Sequence, residues 1–578
     1  MIAAVVARLP EETICTLLCR LLGASGDDKP PAVVRRGIGI GTTRSACPAR
    51  LEESEGLAWM GPSRPRGLEA LRPPFHIHGD FAFVAAVDGE VLLGRGHFGG
   101  RPLYYATDPK TNAVLICSEL APLLRLVDQA VDHERLAGHV VWRQPADPSR
   151  TYWSAIKRVP SGHILRIGPR GLGRSDEIPF LPLPHRQMPI RDAAVELRDR
   201  VLAAVSRAMG PSEAVGVLVS GGLDSSGIFA AAVRASRTGT PSVGGFALDF
   251  GGVGDDRPHL AALSSMLSVS VHRVSPRACP AVRDVLVVNH APVTYQPITC
   301  VMAMAVRSLG WERVLTGTGG DEVFGGDLRL FADIARRGHL VCALRGAAAL
   351  SGYGTSTPRS RMSSLVVRPL LRSAIPKEVL RRIRARRGRP SGPGWAGPHL
   401  RRMVQSEGFA PIVADEDERS SDKSWMSHAA FWPLYLDHSD ARAQTEKVGG
   451  FLEVDPFFDP EVVDFVASLS PEILFHGNRL RGLYQEALRG LVPETLRLRT
   501  DKAWMSAYDD IVEASGGIES LEDLAYPHRL ADLGIVEPDV FRARFEELRN
   551  PVKDRFLWTE IWPVLGAEAF LRDPAAGS

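Results

Sequence analysis

The sequence predicts an α/β protein with a β-rich first part and a longer second part in which strands and helices alternate. Three observations support this prediction. The chain has 578 residues, which is more than one apolar core usually supports. Short apolar runs joined by turn residues fill residues 1 to about 180. From Ile190 onward, buried runs alternate with segments of helical spacing, which is typical of a parallel sheet covered on both faces.

The composition is that of an ordinary globular protein. Apolar residues make up 44% of the chain, charged residues make up 24%, and the net charge of +2 indicates no particular partner. No apolar stretch reaches the roughly 18 residues that a membrane-spanning helix needs. Residues 1–9 are apolar apart from Arg8, but no basic flank precedes them and Glu11 and Glu12 follow, which favours a buried strand over a signal peptide. We therefore expect a cytoplasmic protein without a membrane span.

The cysteines indicate free thiols in a reducing compartment. There are seven, an odd number, and only Cys15 and Cys19 are close in sequence. No second pair is present to complete a zinc site.

The first part contains two predicted hairpins. The apolar run 81–87 is followed by an Asp-Gly turn and then by residues 91–93. A second hairpin is predicted between residues 103–106 and 113–116. Residues 171–189 are rich in Pro, Gly and polar side chains, so they are predicted to be an interdomain linker.

In the second part, segments with a helix-like pattern alternate with segments with a strand-like pattern. Residues 191–209 have helical spacing, residues 214–219 read as a buried strand, and residues 226–237 read as a helix rich in small residues. After about residue 325 the pattern is mostly helical. The alternation continues through strand-like 243–250, helical 299–309 and strand-like 313–315.

One segment is strongly basic. Residues 359–389 contain eleven Lys or Arg side chains and the single acid Glu378. Two interpretations remain open, a solvated helix followed by a mobile loop, or a docking surface for an acidic peptide or protein. Nucleic acid is not expected, because aromatic residues do not interleave with the charges.

The first motif, residues 220–226, reads Ser-Gly-Gly-Leu-Asp-Ser-Ser and lies between a buried strand and a helix. Its glycines allow successive backbone N–H groups to face one point, and the helix N-terminus adds positive partial charge, as phosphate binding requires. Ser225 and Ser226 add hydroxyl donors, and Asp224 is a candidate ligand for Mg²⁺. The Gly-Lys-Ser/Thr ending of a Walker loop is absent. An ordinary glycine turn with an Asp-Ser cap is the alternative.

This motif resembles the pyrophosphate-binding loop of the ATP-pyrophosphatase enzymes. The second motif, residues 315–326, reads Leu-Thr-Gly-Thr-Gly-Gly-Asp-Glu-Val-Phe-Gly-Gly and is similar to the matching motif of the asparagine synthetase superfamily. The resemblance implies an adenine-nucleotide α-hydrolase-like synthetase domain over residues 186–578, with a doubly wound parallel sheet and a helical C-terminal part.

The same resemblance implies ATP and Mg²⁺ as cofactors. Asp224 and Asp321 would share the metal ion. For Leu218 and Leu248, which the resemblance places beside the nucleotide, core packing is the alternative. For Thr316 and Gly317, the alternative is a simple turn. The implied nucleotide-binding residues are Leu218, Ser220, Gly221, Gly222, Asp224, Ser225, Ser226, Leu248, Thr316 and Gly317.

The first part resembles the glutaminase-type domain of the same family. Residues 79–83 and 99–105 carry the resemblance, and residues 118–120 and 159–163 match later landmarks. It implies an Ntn-hydrolase-like αββα sandwich over residues 1–185.

Three departures indicate that this domain does not hydrolyse glutamine. The family uses an N-terminal cysteine exposed after loss of the initiator Met, whereas position 2 is Ile2 and the nearest cysteine is Cys15. The family's Asn-Gly-Glu block is absent before Gly79, and Gly96 stands where an Asp should follow Arg95. The domain is therefore expected to be degenerate, with the amine coming from elsewhere.

Two further residues are candidate catalysts by the resemblance. Lys502 falls where the family keeps an active-site lysine, which would stabilise the tetrahedral oxyanion. Residues 456–459 look like the end of a Glu-x-Arg-x-Pro-Phe-x-Asp stretch, in which Val454 replaces the Arg and Glu453 lies one residue out of register. Amide formation needs a base, and Glu453 is preferred over Glu322. For Lys502 the alternative is an ordinary surface lysine, and for Glu453 it is a buried ion pair.

Three activities of the family fit the loss of glutamine hydrolysis: an ammonia-dependent asparagine synthetase, a β-lactam synthetase, and a lasso-peptide cyclase. The stretch from residue 325 to the basic segment most resembles lasso-peptide cyclases, which implies a precursor core peptide as substrate and a leader peptidase and leader-binding protein as partners. Such a cyclase adenylates an Asp or Glu side chain, which the peptide's own N-terminal amine attacks. An inactive ATP-binding regulator is the alternative of another class, although Asp224, Asp321 and Lys502 are intact.

Overall fold

The fold is given by a computed structural model. It describes residues 1–23, 32–35, 38–43, 49–53, 56–62, 64–69, 71–73, 75, 77–98, 101–142, 147–168, 171–178, 186–236, 241–249, 251, 255–293, 297–326, 328, 330–350, 357–373, 375–376, 379, 392–406, 409, 438–477, 479–499, 506–550 and 557–572.

The first part is a sandwich of two six-stranded antiparallel sheets, which confirms the predicted fold class. The first sheet has the order β10-β8-β9-β1-β3-β2 and the second has the order β12-β11-β7-β6-β5-β4. The apolar core lies between them. The strands are β1 (Ile2–Val6), β2 (Ala32–Arg35), β3 (Ile38–Thr42), β4 (Ala49–Glu52), β5 (Leu57–Met60), β6 (Ala82–Val87), β7 (Glu90–Arg95), β8 (Tyr104–Thr107), β9 (Val114–Cys117), β10 (Ile156–Arg158), β11 (His163–Gly168) and β12 (Gly171–Glu177).

Both predicted hairpins are confirmed. Strand β6 pairs with β7 across Asp88 and Gly89, whose φ angles of 50° and 82° are those of a tight hairpin turn. Strand β8 pairs with β9. The N-terminal apolar run forms β1, which lies between β9 and β3 and is almost wholly buried.

The linker prediction is wrong over its first seven residues, since Gly171–Glu177 forms β12 and pairs with β11. This strand lies at a sheet edge and most of its side chains face solvent, so its polar composition concealed it.

Helices cover the outer face of the first sheet: α1 (Glu11–Leu22), α2 (Leu120–Leu124) and α3 (His133–Trp142). The outer face of the second sheet packs against a segment that has no helix among its described residues, with Leu68, Phe75, Ile77 and Phe81 buried on it.

The second part is built on a parallel sheet with the order β15-β14-β13-β18-β19. Helices lie on both faces, as the doubly wound prediction requires. One face packs against the helices at 190–209, 223–236 and 257–267, and the other packs against those at 297–307 and 438–449. The strands are β13 (Ala214–Leu218), β14 (Ser242–Leu248), β15 (Val271–Val274), β18 (Arg313–Leu315) and β19 (Leu452–Val454), with a separate ribbon of β16 (Val287–Val288) and β17 (Ala291–Pro292).

The remaining described chain is largely helical. The helices are α4 (Ile190–Met209), α5 (Leu223–Ser236), α6 (Arg257–Leu267), α7 (Pro297–Arg307), α8 (Gly320–Val323), α9 (Leu330–Arg336), α10 (Leu340–Ala349), α11 (Pro358–Met362), α12 (Arg368–Ser373), α13 (Pro398–Gln405), α14 (His438–Gly449), α15 (Pro460–Ala467), α16 (Pro471–Leu474), α17 (Gly482–Ala487), α18 (Glu494–Arg497), α19 (Ser506–Ala514), α20 (His528–Asp532), α21 (Pro538–Glu546) and α22 (Leu557–Arg572).

Three details differ from the sequence predictions. Strand β15 is not among the predicted strands. Helix α5 begins at Leu223, so Asp224 and Ser225 lie in its first turn rather than in the preceding loop. Strand β19 is an unpredicted fifth strand within the region predicted to be helical, because three residues are too few to give an alternating pattern.

The two parts share an extensive contact. Helix α22, buried nearly all round, packs against α3 of the sandwich. Phe570 at its end lies 5.5 Å from the Trp153 ring centre. Within the described ranges, no helix is long and apolar enough to cross a membrane.

Candidate active site

The first motif connects β13 to α5 and is closed by its own serines. The Ser220 N–H donates to Ser225 Oγ at 2.9 Å, and the Ser226 hydroxyl donates to the Ser220 carbonyl oxygen at 3.0 Å. Gly222 N–H contacts Ser220 Oγ at 3.3 Å. These bonds hold the turn at the positive end of α5, which is the geometry that binds an anionic phosphate.

The second motif packs directly against the first. Strand β18 lies beside β13, and both motifs follow the carboxyl ends of these parallel strands. A Cβ on Gly317 would come within 2.6 Å of the Ser225 backbone nitrogen, and a Cβ on Gly320 would come within 3.0 Å of Asp224 Cβ. The glycines of the second motif therefore permit the contact that joins the two motifs.

The two predicted metal ligands converge on one guanidinium. Arg481 Nη1 lies 2.5 Å from Asp224 Oδ2 and 2.9 Å from Asp321 Oδ1. Burial alone would lower the pKa of Arg481, but the two carboxylates outweigh it and the net shift is upward. Arg481 thus supplies a fixed positive charge between the two carboxylates.

This pair fits one divalent cation. Both carboxylates reach a common point, and Mg²⁺ in nucleotide sites is held by one or two carboxylates together with phosphate oxygens and waters. Within the part of the chain that the structure describes, no group of three or more His, Cys, Asp or Glu forms a fuller cage. Asp224 and Asp321 would therefore hold Mg²⁺ only together with the phosphates, and Arg481 would have to yield the shared point.

A second arginine braces the first motif. Arg499 Nη1 donates to the Gly221 carbonyl oxygen at 2.9 Å and to Asp256 Oδ1 at 2.6 Å. A Cβ on Gly221 would lie 2.5 Å from that same nitrogen, so a larger residue there would displace the Arg499–Asp256 pair. The Arg499–Asp256 pair consequently fixes the position of the loop at Gly221.

The remaining nucleotide candidates lie at the same sheet edge. Leu218 and Leu248 end β13 and β14, which are neighbours in the sheet. The Thr316 hydroxyl donates to Asp455 Oδ1 at 2.5 Å, and the Thr316 N–H donates to the Val454 carbonyl oxygen at 3.1 Å. Thr316 therefore ties the second motif to the end of β19.

Glu453 lies on β19 and is buried. Its Oε2 accepts a 2.6 Å hydrogen bond from Thr445, and the backbone N–H of Glu453 donates to Glu446 at 2.9 Å. Burial, and then the charge of Asp455, raise the pKa of Glu453 to about 8. A carboxyl with this pKa suits a base near neutral pH, yet the contacts described for its side chain do not include either motif.

Lys502 lies outside the described residues. The residues that sequence reasoning missed are Arg481, Arg499, Asp256 and Asp455. The two arginines lie in the arginine-rich stretch that precedes Lys502, and this composition was the one available signal for them.

Two described positions of the N-terminal domain differ from the family's glutamine-handling pattern. The Ile2 side chain is fully buried in β1. A side chain at position 96 would collide with the Gly79 carbonyl group, and its Cβ would lie 3.4 Å from the Phe81 nitrogen. The Asp of the family pattern therefore does not fit this backbone at position 96.

Comparison with known proteins identifies the family. Residues 196–572, more than half of the chain, match the family described as asparagine synthase. The chain belongs to the asparagine synthase family. Residues 73–175 match the glutamine amidotransferase domain. The chain is accordingly an ATP-dependent ligase of the asparagine synthase type, a family that uses ATP with Mg²⁺.

Similar proteins cover this asparagine synthase-family chain to different extents. Amidase chry2 of Gibberella zeae is 23% identical over 486 residues, which are 74% of this chain and 70% of that protein. A putative glutamine-hydrolysing asparagine synthetase of Mycobacterium tuberculosis is 27% identical over 275 residues, 45% of this chain and 41% of that protein. The solved glutamine phosphoribosylpyrophosphate amidotransferase of B. subtilis is 11% identical with a TM-score of 0.19, over 42% of this chain and 64% of that one.

Proposed function

We propose that the chain is a cytoplasmic ATP-dependent lasso-peptide cyclase. It adenylates an Asp or Glu side-chain carboxylate of a precursor core peptide and closes a macrolactam with the peptide's N-terminal amine, releasing AMP and pyrophosphate. A leader peptidase and a leader-binding protein would act on the same precursor.

The observation that carries the adenylation step is the meeting of the two motifs around Asp224 and Asp321. Two positive contributions converge there, the N-terminus of α5 and the Arg481 guanidinium, and the two carboxylates would add Mg²⁺ once Arg481 leaves their shared point. An ATP triphosphate is the ligand whose charge matches this arrangement, and cleavage beside the first motif leaves pyrophosphate in it.

A glutamine-independent amine source is supported by the N-terminal domain. Gly96 cannot carry a side chain in this backbone, and Ile2 is buried within a sheet. Neither position offers a group that could bind or attack glutamine. An amine within the substrate meets this requirement without a second enzyme activity.

A polypeptide substrate is supported by the helices α9 to α12. Residues 334–377 contain no Asp or Glu. Leu340, Val341, Val367 and Leu371 are exposed by 40% to 61%, and Arg337, Arg345, Arg359 and Arg368 are exposed among the described residues. An apolar and wholly basic surface of this kind suits an acidic, partly apolar peptide rather than a free amino acid.

The chain's own residues would share the chemistry as follows. Asp224 and Asp321 would hold Mg²⁺, which would supply positive charge for the phosphates. The substrate carboxylate attacks the α-phosphorus, and the bond from that phosphorus to pyrophosphate breaks. Arg481 and the backbone N–H groups of the first motif then retain the leaving pyrophosphate. Lys502 would stabilise the oxyanion formed when the amine attacks the acyl-adenylate, and Glu453 would accept the proton of that amine.

The test is pyrophosphate release from ATP with the precursor peptide. We expect release to depend on the peptide and to be abolished by Asp224→Ala, because one of the two carboxylates at the metal site is lost. Asp192→Ala, which removes an exposed carboxylate on α4, should leave the rate unchanged. Turnover without pyrophosphate, or equal rates for both variants, would exclude the ligase mechanism.

The other activities are outcomes of the same assay. Release with aspartate and ammonia would favour an asparagine synthetase, the activity named for the mycobacterial relatives. Release with a single amino-acid derivative would favour a β-lactam synthetase. ATP binding without turnover on any carboxylate would favour the inactive regulator.

A further inference from the structure

The motif residues that survive in the degenerate N-terminal domain point into the synthetase domain. Asp80 belongs to residues 79–83, and Arg101 and Tyr104 belong to residues 99–105, the two blocks that identify a glutaminase-type domain. Tyr104 donates to Asp440 Oδ1 of the synthetase domain at 2.8 Å. The glutamine-handling positions have changed, whereas these interdomain positions remain.

Asp80 begins a chain of buried contacts that ends at the nucleotide site. Its Oδ2 accepts a hydrogen bond from Arg442 Nη1, and Arg442 Nη2 lies 3.0 Å from Asp455 Oδ2. The other oxygen of Asp455 accepts the 2.5 Å hydrogen bond from Thr316. Arg442 is only 1% exposed and Asp455 only 5%, so this part of the chain of contacts is shielded from solvent. The interdomain chain is therefore Asp80, Arg442, Asp455 and Thr316.

Arg101 reaches the same strand by a second route. Its Nη2 donates to the Glu453 carbonyl oxygen at 2.8 Å, and its Nη1 is bonded to Glu446. Glu446 in turn accepts the Glu453 N–H at 2.9 Å. Arg101, also 1% exposed, thus holds the backbone of β19 on both sides of one residue.

We propose that the degenerate N-terminal domain is retained as a positioning domain for the nucleotide site. Asp80 and Arg101 set the position of the end of β19. Asp455, through its hydrogen bond from Thr316, holds the second motif against that strand end. They are positioning residues, since neither contacts the first motif in the described structure. The inference rests on the proposed function only in taking the site as an ATP site.

Burying these charges for packing alone would be unfavourable. Two arginines and three carboxylates taken out of water cost more than apolar side chains of similar volume at the same interface. Directed bonds, unlike apolar contacts, fix the rotation and register of a strand. The arrangement therefore fits a geometric role better than a purely adhesive one.

The experiment measures the Kd of the full chain for ATP with Mg²⁺, without peptide, so that it is independent of cyclisation. Asp80→Asn keeps the shape of the side chain but removes its charge, and we expect ATP to bind about tenfold more weakly. Thr316→Val should weaken it similarly. The double variant should bind ATP no more weakly than the single variant with the lower ATP affinity, because both changes break the same chain of contacts.

Arg66→Gln is the matched control. Arg66 also crosses the domain interface, to Glu461 at 2.5 Å, but it is 59% exposed and lies outside the interdomain chain. We expect unchanged ATP affinity for this variant. Equal ATP affinity in Asp80→Asn and Arg66→Gln, or additive losses in the double variant, would overturn the proposal.

A second variant covers the case in which Asp80→Asn does not fold. Asp455→Asn breaks the interdomain chain from within the synthetase domain, and we expect the same loss of ATP affinity and faster hydrogen exchange at the amides of residues 316–319. Normal affinity and normal exchange in this variant would also overturn the proposal.

Discussion

Arg481 is the residue that most changes the interpretation of the site. The two motifs predicted a pair of metal ligands, but the positive charge between them comes from a side chain 257 residues from Asp224 along the chain. Its backbone is left-handed, with φ of 56°. A long-range pairing of this kind leaves no local sequence pattern, which is why only the aspartates could be predicted.

Replacing Arg481 should expose the cation site. In Arg481→Met, Mg²⁺ no longer competes with a charge-assisted hydrogen bond of about 1.5–3 kcal/mol. We expect the nucleotide-free protein to bind Mn²⁺, used as a probe for Mg²⁺, at least about tenfold more tightly, as measured by a magnetic-resonance titration. Arg489→Met removes an exposed arginine paired with Glu486 and should not alter the affinity. Unchanged affinity in Arg481→Met would show that the guanidinium does not occupy the metal position.

Glu453 gives a prediction for stability against pH. Its carboxyl has a pKa near 8 in the folded chain and an ordinary value near 4.5 when unfolded. Between these values the unfolded state ionises and the folded state does not, so the stability that Glu453 contributes declines as pH rises and is lost above about 8. Glu453→Gln should therefore gain about 2–4 kcal/mol relative to the parent chain between pH 5 and 8.

Urea unfolding at several pH values measures this difference. Glu494→Gln is the control, because hydrogen bonding to Arg497 lowers the pKa of Glu494 and its contribution is constant over this pH range. A pH-independent difference between Glu453→Gln and the parent would mean that Glu453 is ionised in the fold.

At the scale of elements, sequence reasoning was reliable where the pattern is local. The strand and helix on either side of the first motif were predicted from residues 214–219 and 226–237, and the Asp-Gly hairpin from the apolar run 81–87, its two turn residues and residues 91–93. It failed for β12, whose polar side chains face solvent, and for β19, whose three residues are held by pairing with β18. The contact between the two motifs followed from topology, since parallel neighbours end at one edge.

That contact makes a sharp steric prediction. A methyl group at Gly317 would meet the backbone of Ser225, which cannot rotate away as a side chain could. We expect Gly317→Ala to weaken ATP binding by about tenfold to a hundredfold, since the motifs must separate by a few tenths of an ångström or more. Gly394→Ala, at a position with open space, should bind ATP normally. Calorimetric titration with ATP decides between them, and equal affinities would contradict the close packing of the two motifs.

At the scale of the molecule, buried ion pairs join the two domains. The sandwich keeps the form of a glutaminase-type domain, although a side chain no longer fits at position 96, and its buried Asp80 and Arg101 contact the synthetase domain instead. The family and the fold could be predicted from motifs. The interdomain ion pairs could not, because they join residues about 350 positions apart.

The proposed substrate rests on features of both domains. The two motifs carry the proposed ATP site, whereas residues 334–377, which contain no Asp or Glu, and the altered N-terminal domain support the proposal of a peptide that supplies both carboxylate and amine.

The most direct test of the central claim follows oxygen atoms. The precursor peptide is prepared with ¹⁸O in its Asp or Glu side-chain carboxylates and incubated with the chain, ATP and Mg²⁺, and the AMP is examined by mass spectrometry. Attack of the carboxylate on the α-phosphorus transfers one ¹⁸O to AMP for each ring closed, and this is the result we expect. Label in inorganic phosphate, or a closed ring with unlabelled AMP, would contradict activation through an acyl-adenylate.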